Sequence, residues 1–371
     1  MMARKKTPIE DGRQIQYTTI KVRLYPTPEQ EALFEKTFGC CRYIWNQMLA
    51  DQQRFYTETD AHFIPTPAKY KKEAPFLKEV DSQALIQEHN RLSQAFRVFF
   101  KNPEAFGYPK FKKKKTDRDS FSACNHDFPS GPTIYLTKDG IRMTKAGIVR
   151  AKFSRRPQGW WKLKRITVDR TKTGSYYCSI LYEVQGKEPT AVIPTEDTTL
   201  GLKYSMAHFY VADNGDMADP PHWLQRSQRK LADIQRRLSR MQAGSRNYVE
   251  MVQKYRELHE HIANQRRDFI HKESRRIANA WNAVCVRADD LQEIARGPVR
   301  GNVLDSGYGM FRQCLRYKLE RQGKELLLVS RYAPTTGTCG AVHQRDIHAA
   351  KNIKALGLAQ YFNRQEVRES A

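Results

Sequence analysis

Several carboxylates of this sequence lie in or next to apolar segments. These side chains could hold divalent metals for phosphodiester cleavage. Asp289 and Asp290 follow Ala283–Ala288, whose apolar run predicts a buried strand. Asp346 lies in Cys339–Ile353, which has the pattern C-G-x-x-H-x-R-D-x-x-A-A-x-N-I. Two-metal cleavage needs carboxylates that hold cations about 4 Å apart. Asp346 alone does not establish that chemistry.

The cysteines argue against zinc and against disulfides. There are seven, an odd number, and none forms a C-x-x-C pair. Cys339 and His343 cannot complete a tetrahedral zinc site by themselves. We therefore expect no structural zinc, with Cys339 as a small apolar residue.

The composition predicts a folded protein that binds a polyanion. The 371 residues are 40% hydrophobic, enough for two or three domains with cores, and 64 Lys and Arg against 40 Asp and Glu give a net charge of +24. No apolar run approaches the roughly 20 residues that span a bilayer. The N-terminal Met1–Lys6 lacks the apolar core of a secretory signal. We expect a cytoplasmic protein without membrane partners.

The first half of the chain alternates between strand and helix patterns. Thr18–Pro26 alternates polar and apolar side chains, and Thr27, Pro28 and Glu29 then begin a helix. Asp81–Phe100 predicts a second helix. Evenly spaced short strands, typical of an antiparallel barrel with a cationic face, are predicted at 134–136, 141–143, 148–153, 163–168 and 176–182.

The second half predicts a mixed α/β unit. Leu200–Lys203 and Met206–Ala212 form a predicted strand hairpin, with Asn214-Gly215 as a turn. Residues 222–281 predict a helical hairpin that breaks at Ala243–Ser245. Its excess of arginine favours a surface along a nucleic-acid duplex over a coiled-coil partner helix.

The densest basic run is Lys110–Lys115, where Phe106, Tyr108 and Phe111 interleave with lysines. A solvated face is the plain alternative, but lysines beside stacking surfaces favour backbone contact to RNA or DNA. The nucleic-acid-binding candidates are Lys110, Phe111, Lys112, Lys113, Lys114, Lys115, Arg229, Arg236, Arg266 and Arg267.

Three segments, Leu200–Ser205, Ala288–Leu291 and Cys339–Ile353, resemble the blocks of the RuvC-like nuclease in TnpB, the transposon-encoded RNA-guided protein. The resemblance extends over essentially the whole chain and includes Gly39–Tyr43. In that family the three blocks supply an Asp, a Glu and an Asp that hold two metals. Lys203 stands here at the first Asp position and Asp289 at the Glu position. Gln344 and His348 depart from the family pattern as well.

The lysine at 203 predicts that metal binding collapses. An ammonium about 4 Å from a divalent ion is repelled by roughly 8 kcal/mol at an effective dielectric near 20. We expect Lys203 to pair with Asp289 or Asp346, leaving a vestigial site with no functional magnesium pair and no enzymatic activity. Replacement of the missing ligand by Asp213, Asp216 or Asp219 is the less favoured alternative. The resemblance then points to the nuclease-dead repressor branch of the family (TldR-like).

The resemblance also implies the domain plan of an α/β multidomain protein. Residues 1–26 would begin a β-barrel wedge domain, 27–110 would form an inserted helical recognition lobe, and 111–192 would complete the barrel. Residues 193–371 would form the RuvC-like (RNase H-like) domain, with the helical hairpin at about 222–281. The zinc ribbon of the family would be largely deleted, with a remnant at 335–343.

The function that the resemblance implies is guided DNA binding. The partners would be a guide RNA and a complementary double-stranded DNA next to a short flanking motif. Candidates for recognising that motif are Ser82, Ile86, Ser122 and Asn125. We expect repression by promoter occupancy in the bacterial nucleoid. An active guided endonuclease with an atypical metal site and an autoregulator that only holds its guide RNA remain open alternatives.

Overall fold

A computed structural model describes residues 8–9, 13–187, 189–205, 207–218, 223–289, 307–335 and 342–369. The chain divides into two compact units, Met1–Lys187 and Glu188–Ala371. Both units mix helices with a sheet. No helix among the residues described is long and apolar enough to cross a bilayer.

The first unit is built on an antiparallel sheet of eight strands. Seven run in the order β3-β9-β10-β2-β8-β7-β6, and β1 pairs with β2. The longest strands, β2 and β10, pair from Leu24–Tyr176 to Arg13–Lys187. The strands are β1 (Pro8–Ile9), β2 (Arg13–Tyr25), β3 (Ser120–Cys124), β6 (Tyr135–Leu136), β7 (Gly140–Met143), β8 (Gly147–Lys152), β9 (Lys162–Arg170) and β10 (Tyr176–Lys187), with a separate small pair of β4 (Asp127–Phe128) and β5 (Gly131–Pro132).

Two long helices cover one face of this sheet. Helix α1 (Pro28–Thr59) begins with a capping box, in which Thr27 and Gln30 satisfy each other's backbone N–H groups. Helix α2 (Ser82–Lys101) begins at Asp81, whose carboxylate accepts a bond from the Gln83 N–H. Short 3-10 segments at Lys69–Lys71 and Pro75–Lys78 lie between the helices in sequence. Buried apolar side chains of both helices form one core with the sheet.

The second unit contains a five-stranded sheet in the order β13-β12-β11-β14-β15. Strands β11 (Thr199–Tyr204), β12 (Tyr210–Ala212) and β13 (Met217–Ala218) are antiparallel neighbours. Strands β14 (Ala283–Arg287) and β15 (Glu325–Val329) then extend the sheet parallel to β11. The helices within the described part of this unit are α3 (Trp223–Arg240), α4 (Arg246–Ala280), α5 (Tyr308–Glu320) and α6 (Val342–Glu369).

The helices of the second unit cover the two faces of its sheet. Leu202 and Val286 join the core formed with α4 and α5. Cys285 and Leu327 point to the opposite face, where Ile353 of α6 packs against them. Burial raises the pKa of the Cys285 thiol to about 12, so it is a neutral, apolar core group at physiological pH.

The predicted elements are confirmed, with shifts at their ends. The predicted helical hairpin is α3 and α4, separated near Gly244, which has a positive φ of 86°. The second strand of the predicted hairpin at Met206–Ala212 is shorter than expected, since β12 begins at Tyr210. The domain names given to the segments remain predictions.

Candidate functional site

The three parallel strands of the second unit end at one edge of their sheet, and this edge carries the predicted site. Leu202 of β11 is in register with Val286 of β14. The next residues, Lys203 and Arg287, are therefore neighbours on adjacent strands. Because side chains alternate along a strand, both lie on the face opposite Leu202 and Val286, the face that α6 covers.

Each described carboxylate at this edge is paired with a cation of the chain. The Lys203 ammonium donates to Asp346 Oδ1 at the start of α6. Arg287 Nε donates to Asp289 Oδ1 at 2.6 Å. The side chains of Lys203 and Asp346 are 22% and 32% exposed, whereas that of Asp289 is 9% exposed. Of the two partners expected for Lys203, the structure therefore places it on Asp346.

Further hydrogen bonds hold Arg287 and Asp289 in place. Arg287 Nη1 donates to the Thr335 hydroxyl at 3.3 Å, and the Asn352 amide of α6 donates to the Thr335 carbonyl at 3.1 Å. Arg312 of α5 donates to the Asp289 carbonyl at 3.2 Å. Sequence reasoning missed Arg287. The sequence could have indicated this pair, because residues 287 and 289 are two positions apart at a strand end and therefore lie on the same face.

A third carboxylate, Asp213, has a structural role. Its Oδ1 accepts from the Gly201 N–H at 2.8 Å, and its Oδ2 accepts from Lys354 Nζ at 2.9 Å. Asp216 is bound by Arg276 at 2.7 Å. Neither of these carboxylates is free to replace the ligand that position 203 lacks, and Asp219 lies outside the described residues.

Helix α6 packs closely against the strands at two glycines, Gly201 of β11 and Gly357 of α6. A Cβ at Gly201 would overlap the carbonyl oxygen of Ala350 and lie 2.9 Å from Lys354 Cβ. At Gly357, a Cβ would lie 2.5 Å from Cys285 Sγ. Both glycines permit the approach that brings Asp346 to Lys203.

The described residues do not fit a pair of divalent metals. No group of three or more His, Cys, Asp or Glu side chains within the described ranges is arranged to hold an ion. Lys203 and Arg287 already satisfy oxygens of Asp346 and Asp289 that a metal would need. Asp290 and Cys339 lie outside the described residues, as do residues 336–341 of the predicted zinc-ribbon remnant and the side chain of His343.

The basic run of the first unit is attached to the helices beneath it. Trp45 Nε1 donates to the Lys110 carbonyl at 2.9 Å, and Asn46 exchanges two hydrogen bonds with the Lys112 backbone, at 2.8 and 3.0 Å. The Lys112 ammonium lies 2.5 Å from Glu88 Oε2 and 4.1 Å from the centre of the Trp45 ring. Lys112 therefore anchors the segment.

The other members of the run face solvent. Phe111 is 45% exposed, and the remaining exposed members are Lys110, Lys113, Lys114 and Lys115. These side chains remain candidates for contact with nucleic acid. The contact with Glu88 distinguishes Lys112 from the other lysines of the run, and sequence spacing does not reveal that contact.

The four flanking-motif candidates lie in two different settings. Ile86 is exposed on α2, and Ser82 is the first residue of that helix. Ser122 is buried, accepts from Arg91 Nη2 at 2.6 Å and lies 2.7 Å from the Thr167 hydroxyl. Asn125 Oδ1 accepts from the Ile134 N–H at 2.9 Å. Ser122 and Asn125 are thus engaged within the protein.

The predicted arginines of the helical hairpin are mostly on its surface. Arg229, Arg236 and Arg267 are exposed. Arg236 pairs with Asp233 at 2.5 Å, one turn away on α3. The Arg266 stem packs beneath Gly307, where an added Cβ would lie 2.9 Å from Arg266 Cδ. Arg266 is therefore partly a packing residue, while the other three remain contact candidates.

The fold and these sites define a basic two-unit α/β protein, and two family models match segments of it. Residues 16–60 match the helix-turn-helix domain of the IS605 OrfB family. Residues 179–292 match the probable transposase model of the same family. Both models are of the IS605 OrfB family, to which these two segments are similar.

Two curated relatives are similar over most of their length. A putative RNA-guided DNA endonuclease of Streptomyces pristinaespiralis is 28% identical, with 91% of this chain and 89% of the relative covered. The putative RNA-guided DNA endonuclease InsQ of Escherichia coli K12 is 28% identical, over 83% of this chain and 79% of the relative. A chain of the Cas12f1–sgRNA–target DNA complex shares the fold, with a TM-score of 0.56, 11% identity and coverage of 93% and 99%.

These comparisons correct one expectation from the sequence. The substitution at Lys203 predicted that the chain is not an enzyme, and that prediction is wrong by comparison with its relatives. Both curated relatives are named as endonucleases, and the transposase model matches the segment that contains Lys203 and Asp289. The findings point to nuclease activity.

Proposed function

We propose that this chain is an RNA-guided DNA-binding protein that carries a guide RNA and binds a complementary double-stranded DNA beside a short flanking motif. The observation that supports it most is the similarity to two putative RNA-guided DNA endonucleases over 91% and 83% of the chain. The net charge of +24 and the exposed lysines at 110 and 113–115 supply the phosphate-binding charge that such a complex needs.

Occupancy of a promoter by this complex would repress transcription. Guide pairing would select the sequence, and the protein would contact duplex shape and the flanking motif. Ile86 and Ser82, at the start of α2, are the better candidates for motif contact, since Ser122 and Asn125 are engaged internally.

Metal-dependent cleavage of the bound DNA is the second candidate function, favoured by the names of the relatives. It would need an atypical site, because Lys203 and Arg287 occupy the Asp346 and Asp289 carboxylates. Cleavage and binding can be followed in one experiment.

The test uses the purified protein with its copurified RNA and a labelled duplex that matches the guide. Binding should require a matched guide and persist in EDTA, and a mismatch series in the guide should weaken it position by position. Adding Mg²⁺ to the same samples measures cleavage. A reporter with the target inside or outside its promoter then tests repression. Binding that ignores the guide sequence would refute the proposal.

A further inference from the structure

Aromatic rings at the ends of α1 and α2 form an exposed surface, which we call the aromatic end. The Phe99 ring, at the end of α2, lies 5.4 Å from the rings of both Phe100 and Tyr108. The Tyr108 O–H donates to Gln52 of α1 at 3.1 Å, and Tyr56 lies one turn further along α1. The exposed rings of the aromatic end are those of Tyr56, Phe63, Phe100, Phe106 and Tyr108. The surface therefore combines both helices with the segments that follow them.

Local contacts hold the rings outside the helices next to those on α2. Phe63 follows His62, whose ring lies 5.3 Å from that of Phe100. The Phe106 N–H donates to the Asn102 carbonyl at 3.1 Å and closes a turn directly after α2. The five exposed rings thus belong to one cluster on the surface of the first unit.

The aromatic end exposes enough apolar area for a specific contact. The exposed fraction of the five side chains runs from 39% for Tyr108 to 55% for Phe63. Since an aromatic side chain has about 200 Å² of surface, the five together present about 500 Å² to water. Apolar patches of this size often mark interaction sites. Two such surfaces packed together would bury about 1,000 Å² from the rings alone, which is the lower limit for a specific protein interface.

Charge distinguishes the aromatic end from the basic surfaces of the chain. Residues 52–63 and 97–108 contain three Arg or Lys and three Asp or Glu, so their net charge is zero in a chain of +24. All six side chains are exposed: Arg54, Glu58, Asp60, Arg97, Lys101 and Glu104. Nucleic acid favours an excess of positive charge, which this surface lacks. In a two-fold contact the same patch faces its own copy, so a surface that carries both signs can complement itself.

We propose that two copies of this chain associate through their aromatic ends as a two-fold symmetric dimer. The rings of one copy pack against those of the other, and the surrounding acidic and basic side chains pair across the contact. The contact lies within the first unit and requires neither guide pairing nor target DNA, so it goes beyond the proposed function. Because its area is at the low end for specific interfaces, we expect association at micromolar concentrations.

The first test is sedimentation of the full chain with its copurified RNA over a series of concentrations. The parent particle should change from one copy to two as the concentration rises. Phe100→Ser should raise the dissociation constant of the dimer by about tenfold or more, because the ring is lost twice in each dimer. Phe63→Ser, beyond the end of α1, should act in the same direction. Phe128→Ser is the matched control, since Phe128 on β4 is 57% exposed and lies outside the aromatic end.

Salt separates an apolar contact from bridging by RNA. Contacts to phosphate weaken steeply as the salt concentration rises, whereas burial of apolar surface does not depend on them. A parent dimer that persists in high salt, with Phe100→Ser still monomeric, supports the proposal. A parent that stays a single copy at every concentration would overturn it, as would loss of the dimer in high salt or an equal effect of Phe128→Ser. Thermal unfolding of each variant excludes misfolding as the cause.

The second test identifies what covers the aromatic end. A photo-crosslinking phenylalanine analogue replaces Phe100, and copies with light and heavy nitrogen are mixed so that links between copies can be recognised by mass. Links should join two copies and end within residues 52–63 or 97–108. Links to RNA, or only within one copy, would contradict the proposal, and the same analogue in place of Phe128 should give no links between copies. Guide-dependent duplex binding is measured separately, so the dimer can be refuted while the proposed function stands.

Discussion

Glu88 in the first unit and Asp346 in the second are both paired with a lysine, but their surroundings differ. The Glu88 side chain is 0% exposed and holds two cations, Arg91 and Lys112, each at 2.5 Å. Asp346 is 32% exposed and holds Lys203 at the open edge of a sheet. A buried carboxylate joins elements of a fold, because removing a partner there leaves an uncompensated charge. A pair open to water can exchange its partner for a ligand.

The contacts of Glu88 show what the buried arrangement achieves. Lys112 connects it to the basic run, and Arg91 connects it to Ser122 of β3. One carboxylate thus ties α2 to the segment after it and to the sheet. The pair at the second edge also joins distant segments, since Lys203 of β11 and Asp346 of α6 are 143 positions apart, but its side chains are 22% and 32% exposed.

The largest expected effect comes from breaking the contact that forms the second edge. Gly201→Ala should lower the stability of the second unit by about 3 kcal/mol, since the new methyl group would overlap the Ala350 carbonyl. Hydrogen exchange followed by mass spectrometry should show reduced protection in β11 and β14. Gly39→Ala in α1, where nothing lies within 4 Å of the added Cβ, should instead stabilise the first unit by about 1 kcal/mol. Equal behaviour of the two variants would contradict the packing account.

Removing the buried charge should rank next. Glu88→Gln should destabilise the first unit by about 2 kcal/mol, because it leaves Arg91 and Lys112 without their shared carboxylate. Urea unfolding measures the decrease. Glu79→Gln is the control, since the Lys36–Glu79 pair is about half exposed on both sides and its loss should lower stability much less. A decrease from Glu79→Gln as large as that from Glu88→Gln would remove the distinction between buried and open pairs.

Features marked by neighbouring residues could be predicted from the sequence, whereas pairs of distant residues could not. The helix starting after Thr27 was predictable because its N-cap, proline and Gln30 lie within four residues, and the break near Gly244 was marked by a local turn signal. The partner of Lys203 was left as two alternatives, because Asp346 is 143 positions away. The neutralisation of Lys112 by Glu88 was missed for the same reason. Long-range pairing depends on packing, which local patterns do not contain.

The third prediction concerns the open pair itself. Lys203→Asp places a carboxylate beside Asp346, so like charges should destabilise the second unit by about 1 kcal/mol in EDTA. Mg²⁺ should restore the melting temperature, because an ion bound by the two carboxylates stabilises the folded state. Differential scanning calorimetry with and without Mg²⁺ measures both effects. Lys351→Asp should show no such Mg²⁺ dependence, and a Lys203→Asp variant indifferent to Mg²⁺ would sink the prediction.

The smallest expected effect is that of pH on stability, through the partly buried His271. Partial burial, followed by the charges of Lys318 and Arg267, lowers the pKa of His271 below its ordinary value near 6.5. The folded state then binds fewer protons than the unfolded state, so stability is lost as pH falls from about 6.5 through the lowered pKa. The slope should be shallow because His271 lies near solvent, and His271→Asn should flatten it in unfolding measured between about pH 5 and 7.5. Since burial also lowers the pKa of His62 in the first unit, a residual slope that disappears with His62→Asn would divide the pH dependence between the two units. A slope unchanged by both substitutions would place the titrating groups elsewhere.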